Sequence, residues 1–418
     1  VKGAESGAHP DLAGGRVTID LSALAANWEK LRDHARSDNP AADCAAVVKA
    51  NAYGCGIEEV VPALWKAGCR TFFVAMAEEG FRVRKVAPDA TCYVLNGLFE
   101  GAAPHLIKAD LWPILGSVPE ARWWAEAAKK EGKALPCALQ LDSGMTRLGF
   151  TPPSLELTIK DEAIASHLDV CLFMTHFACA DDIGHPKTDT QREVFEQASV
   201  LLPGVPRSVA NSAASLQGAP YAYDLARPGV ALYGAEAVND VPNPMQSVVM
   251  LEARIISVRE AKAGDSVGYG ASQVLTRDSR IAHVSVGYAD GYHRAASNQG
   301  VPMRAVAPPA RAALNGQVIQ GVGRVSMDLS AFDVTDVPGT KAGDWIELFG
   351  PTIPVDDVAR AAGTIGYEML TGLGNKNERC CVGSKFTLRV MPGRAGIHLA
   401  IAPSLYMDFR LRGNDRRV

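Results

Sequence analysis

The sequence predicts an α/β protein, an N-terminal (β/α)8 barrel followed by a mainly-β domain, and three observations carry that prediction. Short β-rich runs alternate with longer helical stretches from about residue 20 to residue 235. Such alternation calls for a parallel sheet with right-handed crossovers, and eight units in ~210 residues suit a closed barrel better than an open sheet. After residue 240 the texture changes to short strands separated by Gly, Asp, Asn or Pro. The third observation is length: 418 residues exceed the ~150-residue norm for one domain and leave room for both parts.

The elements follow in chain order. Residues 1–15 read as a flexible arm without the charged, apolar and small-residue order of a signal peptide. The barrel, residues 16–240, takes its strands from 44–50, 71–75, 91–95, 112–115, 136–142, 170–176, 207–211 and 228–234. Helical stretches between them include 22–36, with Ser22 as its N-cap, 57–68, 78–87, 118–131 and 188–202. VPNPMQ (241–246) is a Pro-rich break that suits a linker. The β domain, 241–374, has strand-like runs at 247–258, 266–270, 281–288, 311–323, 330–336 and 345–350. Asn315-Gly316 between apolar runs is a hairpin signal, because that pair suits a type I′ turn. Residues 375–418 carry nine Lys/Arg against three Asp/Glu and read as a disordered basic tail.

Composition excludes several classes. Hydrophobic residues at 47% and charged residues at 21% are enough to bury a large core and rule out disorder over most of the length. A net charge of −4 offers no global basic field to nucleic acid or an anionic membrane. No apolar run reaches the length of a spanning helix. The nine cysteines form no C-x-x-C pair and read as reduced thiols of a cytoplasmic protein. His176, Cys179, Asp182 and His185 match no standard zinc spacing, so no metal is expected. The usual glycine-rich nucleotide fingerprints are missing, and Gly264-Asp265-Ser266-Val267-Gly268 reads as a turn inside the β domain rather than a nucleophile elbow.

One stretch points to chemistry. Lys49 ends the apolar, β-branched run Val47-Val48. Burial lowers the proton affinity of a Lys and leaves a nucleophilic amine able to form a Schiff base. A Lys at a strand end also snorkels to solvent, and this segment alone does not choose between the two. Other strand ends shift the balance. Barrels build phosphate sites from the loops after strands 7 and 8; here strand 7 ends in Asn211-Ser212-Ala213 and strand 8 starts at Arg227-Pro228-Gly229. Ser212 supplies a hydroxyl, and Gly229 lets backbone N–H groups approach closely. A reactive Lys on strand 1 with a phosphate cradle on strands 7 and 8 is what pyridoxal 5′-phosphate requires.

Nine motifs, in order along residues 16–374, carry a family likeness: VVKANAYG (47–54), LDSGMTRLGF (141–150), THFACAD (175–181), ANSAAS (210–215), RPGVALYG (227–234), VGYGAS (267–272), VGYADGYHR (286–294), GRVSMD (323–328) and IGYEMLTGLG (365–374). The chain resembles the alanine racemases, fold-type III pyridoxal-phosphate enzymes. The resemblance implies a homodimer that interconverts L- and D-alanine for peptidoglycan synthesis. It implies that Lys49 holds the cofactor and serves as the base on one face of the substrate. Tyr269 is implied as the opposing base, delivered from the partner subunit. Two bases on opposite sides of one planar carbanion are what racemisation requires. By the same likeness Arg147 lies near that phenol and the substrate carboxylate. Arg227 faces the pyridine nitrogen, with His176 supporting it. Tyr53, Ser212 (beside Asn211), Gly229, Val230 and Tyr367 are phosphate ligands. Met327 and Asp328 are partner-subunit residues near the substrate, and Tyr288 and Tyr367 narrow the entrance to favour a methyl-sized side chain.

Two departures stand out. Many members carry a carbamylated Lys two residues before the Asp of the LDSGM motif, where this chain has Gln140, so support of Arg147 is expected to be neutral and weaker. The stretch after Gly374 does not follow the family's usual close, which leaves the last strand of the β domain open. The rival readings are a racemase of broader specificity and a non-catalytic pyridoxal-phosphate-binding relative. The narrow-entrance tyrosines stand against the first, and the β domain with Tyr269 against the second.

Overall fold

Seven short parallel strands lie side by side in chain order: Ala46–Val47, Thr71–Val74, Thr91–Val94, Trp112–Leu115, Leu135–Gln140, Leu168–Met174 and Arg207–Ser208. The computed structural model to which they belong describes residues 11–218, 220–297 and 310–383. Most of the expected arm and of the basic tail therefore lies outside the described residues. Apart from Arg207–Ser208 the strands are mainly apolar and buried, because helices cover a parallel sheet on its outer face while side chains fill the barrel within.

The eighth position differs from expectation. Leu225–Ala226 closes the barrel by pairing in parallel with Asp43–Cys44. Ala45 N–H donates to Ala226 O, and Arg227 N–H to Ala210 O, both at 2.9 Å. The run 228–234, expected as this strand, is instead a 3-10 turn over Val230–Tyr233. Pro228 has no N–H for a ladder, and Gly229 at φ −120°, ψ −90° leaves the extended region. The first barrel strand is likewise shorter than 44–50, ending at Val47.

The helices follow their apolar spacing: Leu21–Asp38, Ile57–Ala67, Ala77–Val86, Val118–Glu131 and Pro186–Ser199. The first is capped by Asp20 rather than by Ser22. The buried Asp20 carboxylate accepts from the N–H groups of Ser22 at 2.9 Å and Ala23 at 3.0 Å. His185, one of the metal candidates weighed above, caps the last of these helices through Lys187 N–H.

In the second part, six strands close on themselves in the order Ser279–Val284, Ser330–Asp333, Gln317–Gly321, Arg311–Leu314, Trp345–Phe349, Val249–Ala261. The thirteen-residue strand Val249–Ala261 makes this possible, since register shifts near Leu251 and Ile255 re-aim it between neighbours. Asn315 and Gly316, at φ 51° and 78°, form the expected hairpin turn.

Two boundaries move. Gly15–Asp20, read with the barrel, pairs antiparallel with Val249–Ala253. Glu378–Val382, read as tail, lies parallel to Gly15–Asp20 as the edge strand. Val17 and Ile19 are buried between them, while Arg16 bonds Glu378 at 3.0 Å. The described residues thus start in the β-domain sheet, build the barrel and return to that sheet.

Candidate active site

The buried Val48 follows the strand Ala46–Val47, and the backbone then turns the wrong way. Ala50, Asn51, Ala52 and Tyr53 all have φ between 52° and 55°. Left-handed backbone costs L-residues about 1–2 kcal/mol each, so four in succession persist only where their surroundings impose them. Hydrogen bonds from Ala52 N–H to Val48 O, Gly54 N–H to Ala50 O and Gly56 N–H to Asn51 O, each 2.9 Å, close the turn. It sets Lys49 at the barrel mouth, where solvent reaches its side chain, and swings Tyr53 inward. Partial desolvation first, and the positive charge of Arg147 second, hold the Lys49 ammonium below its ordinary value, against the opposing pull of Glu79.

Tyr53 meets the ends of strands 7 and 8. Ser212 Oγ accepts from Gly229 N–H at 2.8 Å and from Ala231 N–H at 3.3 Å. Asn211 Oδ1 caps the short helix Ser212–Gln217 through Ala214 N–H at 3.0 Å, and Val230 opens the 3-10 turn. The Tyr53 ring stacks on Tyr233 at 4.6 Å and tilts against Tyr367 at 6.2 Å. Burial raises the phenols of both Tyr53 and Tyr367, the latter to about 12, so both remain hydrogen-bond donors. A Cβ on Gly229 would come within 2.3 Å of the Tyr53 hydroxyl. Gly229→Val is therefore expected to disrupt the cradle and weaken binding of pyridoxal phosphate about 10- to 100-fold, read by absorbance titration.

Arg227 is buried at 4% exposure, directly after the strand Leu225–Ala226. It donates to Thr175 O at 2.6 Å and to Ser208 Oγ. Burial alone pushes it down to about 9, with no carboxylate beside it to offset the cost. It thus remains charged at neutral pH, a buried cation that lacks an anionic partner among the described residues. His176 lies close enough for Arg227 to act on it, yet no hydrogen bond joins them. The support expected from His176 comes from Thr175 and Ser208 instead. Burial first, then the charges of Arg227, Arg147 and Lys49, drive His176 down to about 3, so it is neutral. An unfolded His binds a proton near pH 6.5, and this one refuses it until about 3. Between those values the unfolded chain holds more protons, so stability falls as pH drops through that window. His176→Gln is expected to flatten that part of a denaturation-versus-pH curve.

Arg147 sits exposed on the loop after the fifth strand. Asp142 Oδ1 accepts from the N–H groups of Gly144, Met145 and Thr146 at 2.9–3.0 Å. The buried Gln140 donates to Leu148 O at 3.0 Å. Gln140 therefore supports Arg147 through the backbone of its loop rather than at the guanidinium.

The remaining candidates form a second cluster on the β domain. Tyr288 N–H bonds Ser326 O at 3.0 Å and Ala289 N–H bonds Met327 O at 2.9 Å. Lys376 pairs with Asp328 at 2.6 Å. Tyr269 stands on a 3-10 turn, 71% exposed, and Met327 is 55% exposed. The charges acting on Lys49 are those of Arg147 and Glu79, with none from this cluster. The candidates therefore fall into two groups, one at the barrel mouth and one on the β domain. Sequence reading missed Thr175, Ser208 and Glu79; of these only Glu79 left a signal, as the third residue of a helix.

An amine-bearing strand end, a hydroxyl and backbone cradle and a buried cation, followed by a β domain, define the fold-type III class of barrel enzymes. Comparison with known proteins narrows the class. The profile for the alanine racemase N-terminal domain matches residues 19–237, and that for the C-terminal domain matches 248–381. An alanine racemase of Rhizobium meliloti is 46% identical over 374 residues, 89% of this chain and 97% of the relative. A biosynthetic alanine racemase of Agrobacterium fabrum is 47% identical over 367 residues, 87% of this chain and 93% of the relative. The crystal structure of the Bartonella henselae alanine racemase, which has covalently bound pyridoxal phosphate, superposes with a TM-score of 0.81 at 36% identity, covering 88% of this chain and all of that one. The chain belongs to the alanine racemase family.

Proposed function

We propose that this protein is a pyridoxal-phosphate-dependent alanine racemase that works as a homodimer, each active site joining the barrel mouth of one chain to the β-domain cluster of the other. The observation that carries the reading is the Tyr53–Ser212–Gly229 cradle at the mouth that also holds a partly desolvated Lys49 and a buried Arg227 with no anionic partner among the described residues. These residues suit a phosphorylated pyridine aldehyde. Tyr53, Ser212, Gly229, Val230 and Tyr367 would hold the phosphate, Arg227 the ring nitrogen, and Lys49 the aldehyde carbon. When bound, the cofactor supplies an electron sink that makes the substrate's Cα proton removable.

The chain's own groups then divide the work. Lys49 Nζ takes or returns the Cα proton on one face, and Tyr269 Oη from the second copy does so on the other. Arg147 holds the substrate carboxylate beside that phenol. Arg227 keeps its proton and would hold the ring nitrogen as a hydrogen-bond donor, which would temper the electron sink the cofactor supplies. Tyr288 and Tyr367 restrict the side chain to methyl size, while Met327 and Asp328 line the same approach. We place the division between barrel and β domain near residue 240. No described helix is long and apolar enough to cross a membrane. We place the enzyme in the cytoplasm, where D-alanine would feed peptidoglycan synthesis. Chiral chromatography of purified protein with alanine, serine and lysine tests this. Rapid interconversion of alanine alone supports the reading; equal rates on serine or lysine would replace it with a broad-specificity racemase.

A further inference from the structure

The left-handed turn after Lys49 is gripped by a carboxylate that the mechanism above does not use. Glu79 is the third residue of the helix Ala77–Val86. Its Oε2 accepts from Ala75 N–H at 2.9 Å and Met76 N–H at 3.3 Å, which caps the helix. Its Oε1 reaches away and accepts from Asn51 N–H at 3.1 Å, inside the left-handed turn. Asn51 Oδ1 in turn accepts from Ile57 N–H at 3.3 Å and Arg82 Nη2 at 2.6 Å, and Arg82 pairs with Glu58. One carboxylate thus bridges the end of the second barrel strand to the segment that aims Lys49.

We propose that Glu79 is a positioning residue for Lys49, fixing the Asn51 amide and setting a negative charge against the amine. The proposal rests on the reading of Lys49 as the cofactor's attachment point. A helix-capping role alone would need only Ala75 and Met76. The bond to Asn51 lies outside the helix and fixes backbone that L-residues otherwise avoid. Lys49 also faces Arg147 and His176; Arg147 lowers the amine's proton affinity, whereas Glu79 raises it.

Glu120 provides an internal control. Two units further along the barrel, its Oε2 accepts from Gly116 N–H at 3.0 Å and Ser117 Oγ at 2.8 Å at the start of the helix Val118–Glu131, and its Oε1 reaches out to Leu98 N–H at 3.0 Å, on a loop that does not carry Lys49. The test follows the uptake of pyridoxal phosphate by the full chain, by absorbance across pH, in wild type, Glu79→Gln, Glu79→Asp and Glu120→Gln, with a thermal melt of each. Uptake needs the unprotonated amine, so its rate rises with pH through the Lys49 titration. Glu79→Gln removes the charge that favours the ammonium, so the uptake midpoint is expected to move to lower pH by about half a unit or more. Loss of a charged hydrogen bond to the turn should also weaken cofactor affinity about tenfold or more. Glu79→Asp keeps the charge but is one methylene short, so it should keep the midpoint and lose affinity. This variant carries the test if Glu79→Gln does not fold. Glu120→Gln should lower the melt and leave uptake unchanged. A Glu79→Gln protein with wild-type midpoint and affinity would overturn the proposal and reduce Glu79 to a helix cap. A wild type that takes up no cofactor, or a Lys49→Ala variant that takes it up as wild type does, would overturn the functional reading and this proposal with it.

Discussion

Lys49→Ala is expected to fold normally and to lose racemisation by on the order of 10⁴-fold or more. The side chain reaches solvent and its ammonium is disfavoured where it stands, so removing it opens no core cavity and relieves a desolvated charge. The backbone conformation of the site does not depend on it either. The left-handed residues are Ala50 to Tyr53, held by their own hydrogen bonds and by Glu79. The loss should thus appear in the chemistry and the cofactor's absorbance, with the unfolding midpoint unchanged or raised. A folded variant that retained racemisation would remove Lys49 from the mechanism.

Tyr269→Phe carries the second-largest expected effect, a loss of about 10²–10⁴-fold, typical of removing one positioned acid or base. At 71% exposure its phenol packs against little in its own chain, so stability should hold. The informative signal is asymmetric. With one base left, Cα hydrogen of one alanine enantiomer should still exchange in D2O, while inversion and exchange of the other enantiomer fail. Equal loss of exchange from both enantiomers would place Tyr269 in binding rather than proton transfer.

Much of this was legible in the sequence because two periodicities differ so plainly. Helical spacing between apolar strands announces a barrel, and Asn315-Gly316 announces the hairpin of the β domain. The misread elements share a physical cause. Leu225–Ala226 is two residues long, too short for any period, while the apolar run after it is broken by Pro228 and Gly229 into a turn. Glu378–Val382 is hidden because the basic charge of the whole terminal stretch masks it, whereas pairing with Gly15–Asp20 depends on five residues.

The site divides in the same way. Lys49 and Ser212 lie at the ends of expected strands, where barrel topology alone directs attention, whereas the role of Arg227 is implied only by the family likeness. How they are held was not legible. Ala50, Asn51, Ala52 and Tyr53 carry little propensity for left-handed backbone, and only tertiary bonds impose it. The partners of Arg227 come from two other strands, 52 and 19 residues away in sequence. Gln140 acts on Leu148 O, a contact no substitution pattern in one sequence reveals.

The central claim is that the two partial clusters, one per chain, meet across a dimer. Mixing Lys49→Ala and Tyr269→Phe chains under conditions that exchange subunits tests it most directly. Each heterodimer would hold one site with both bases intact and one with neither. Equal mixing should therefore restore about a quarter of wild-type racemisation from two inactive proteins, given random pairing of a symmetric dimer. No recovery from chains shown to have exchanged would contradict the claim, leaving Lys49 and Tyr269 without a shared site.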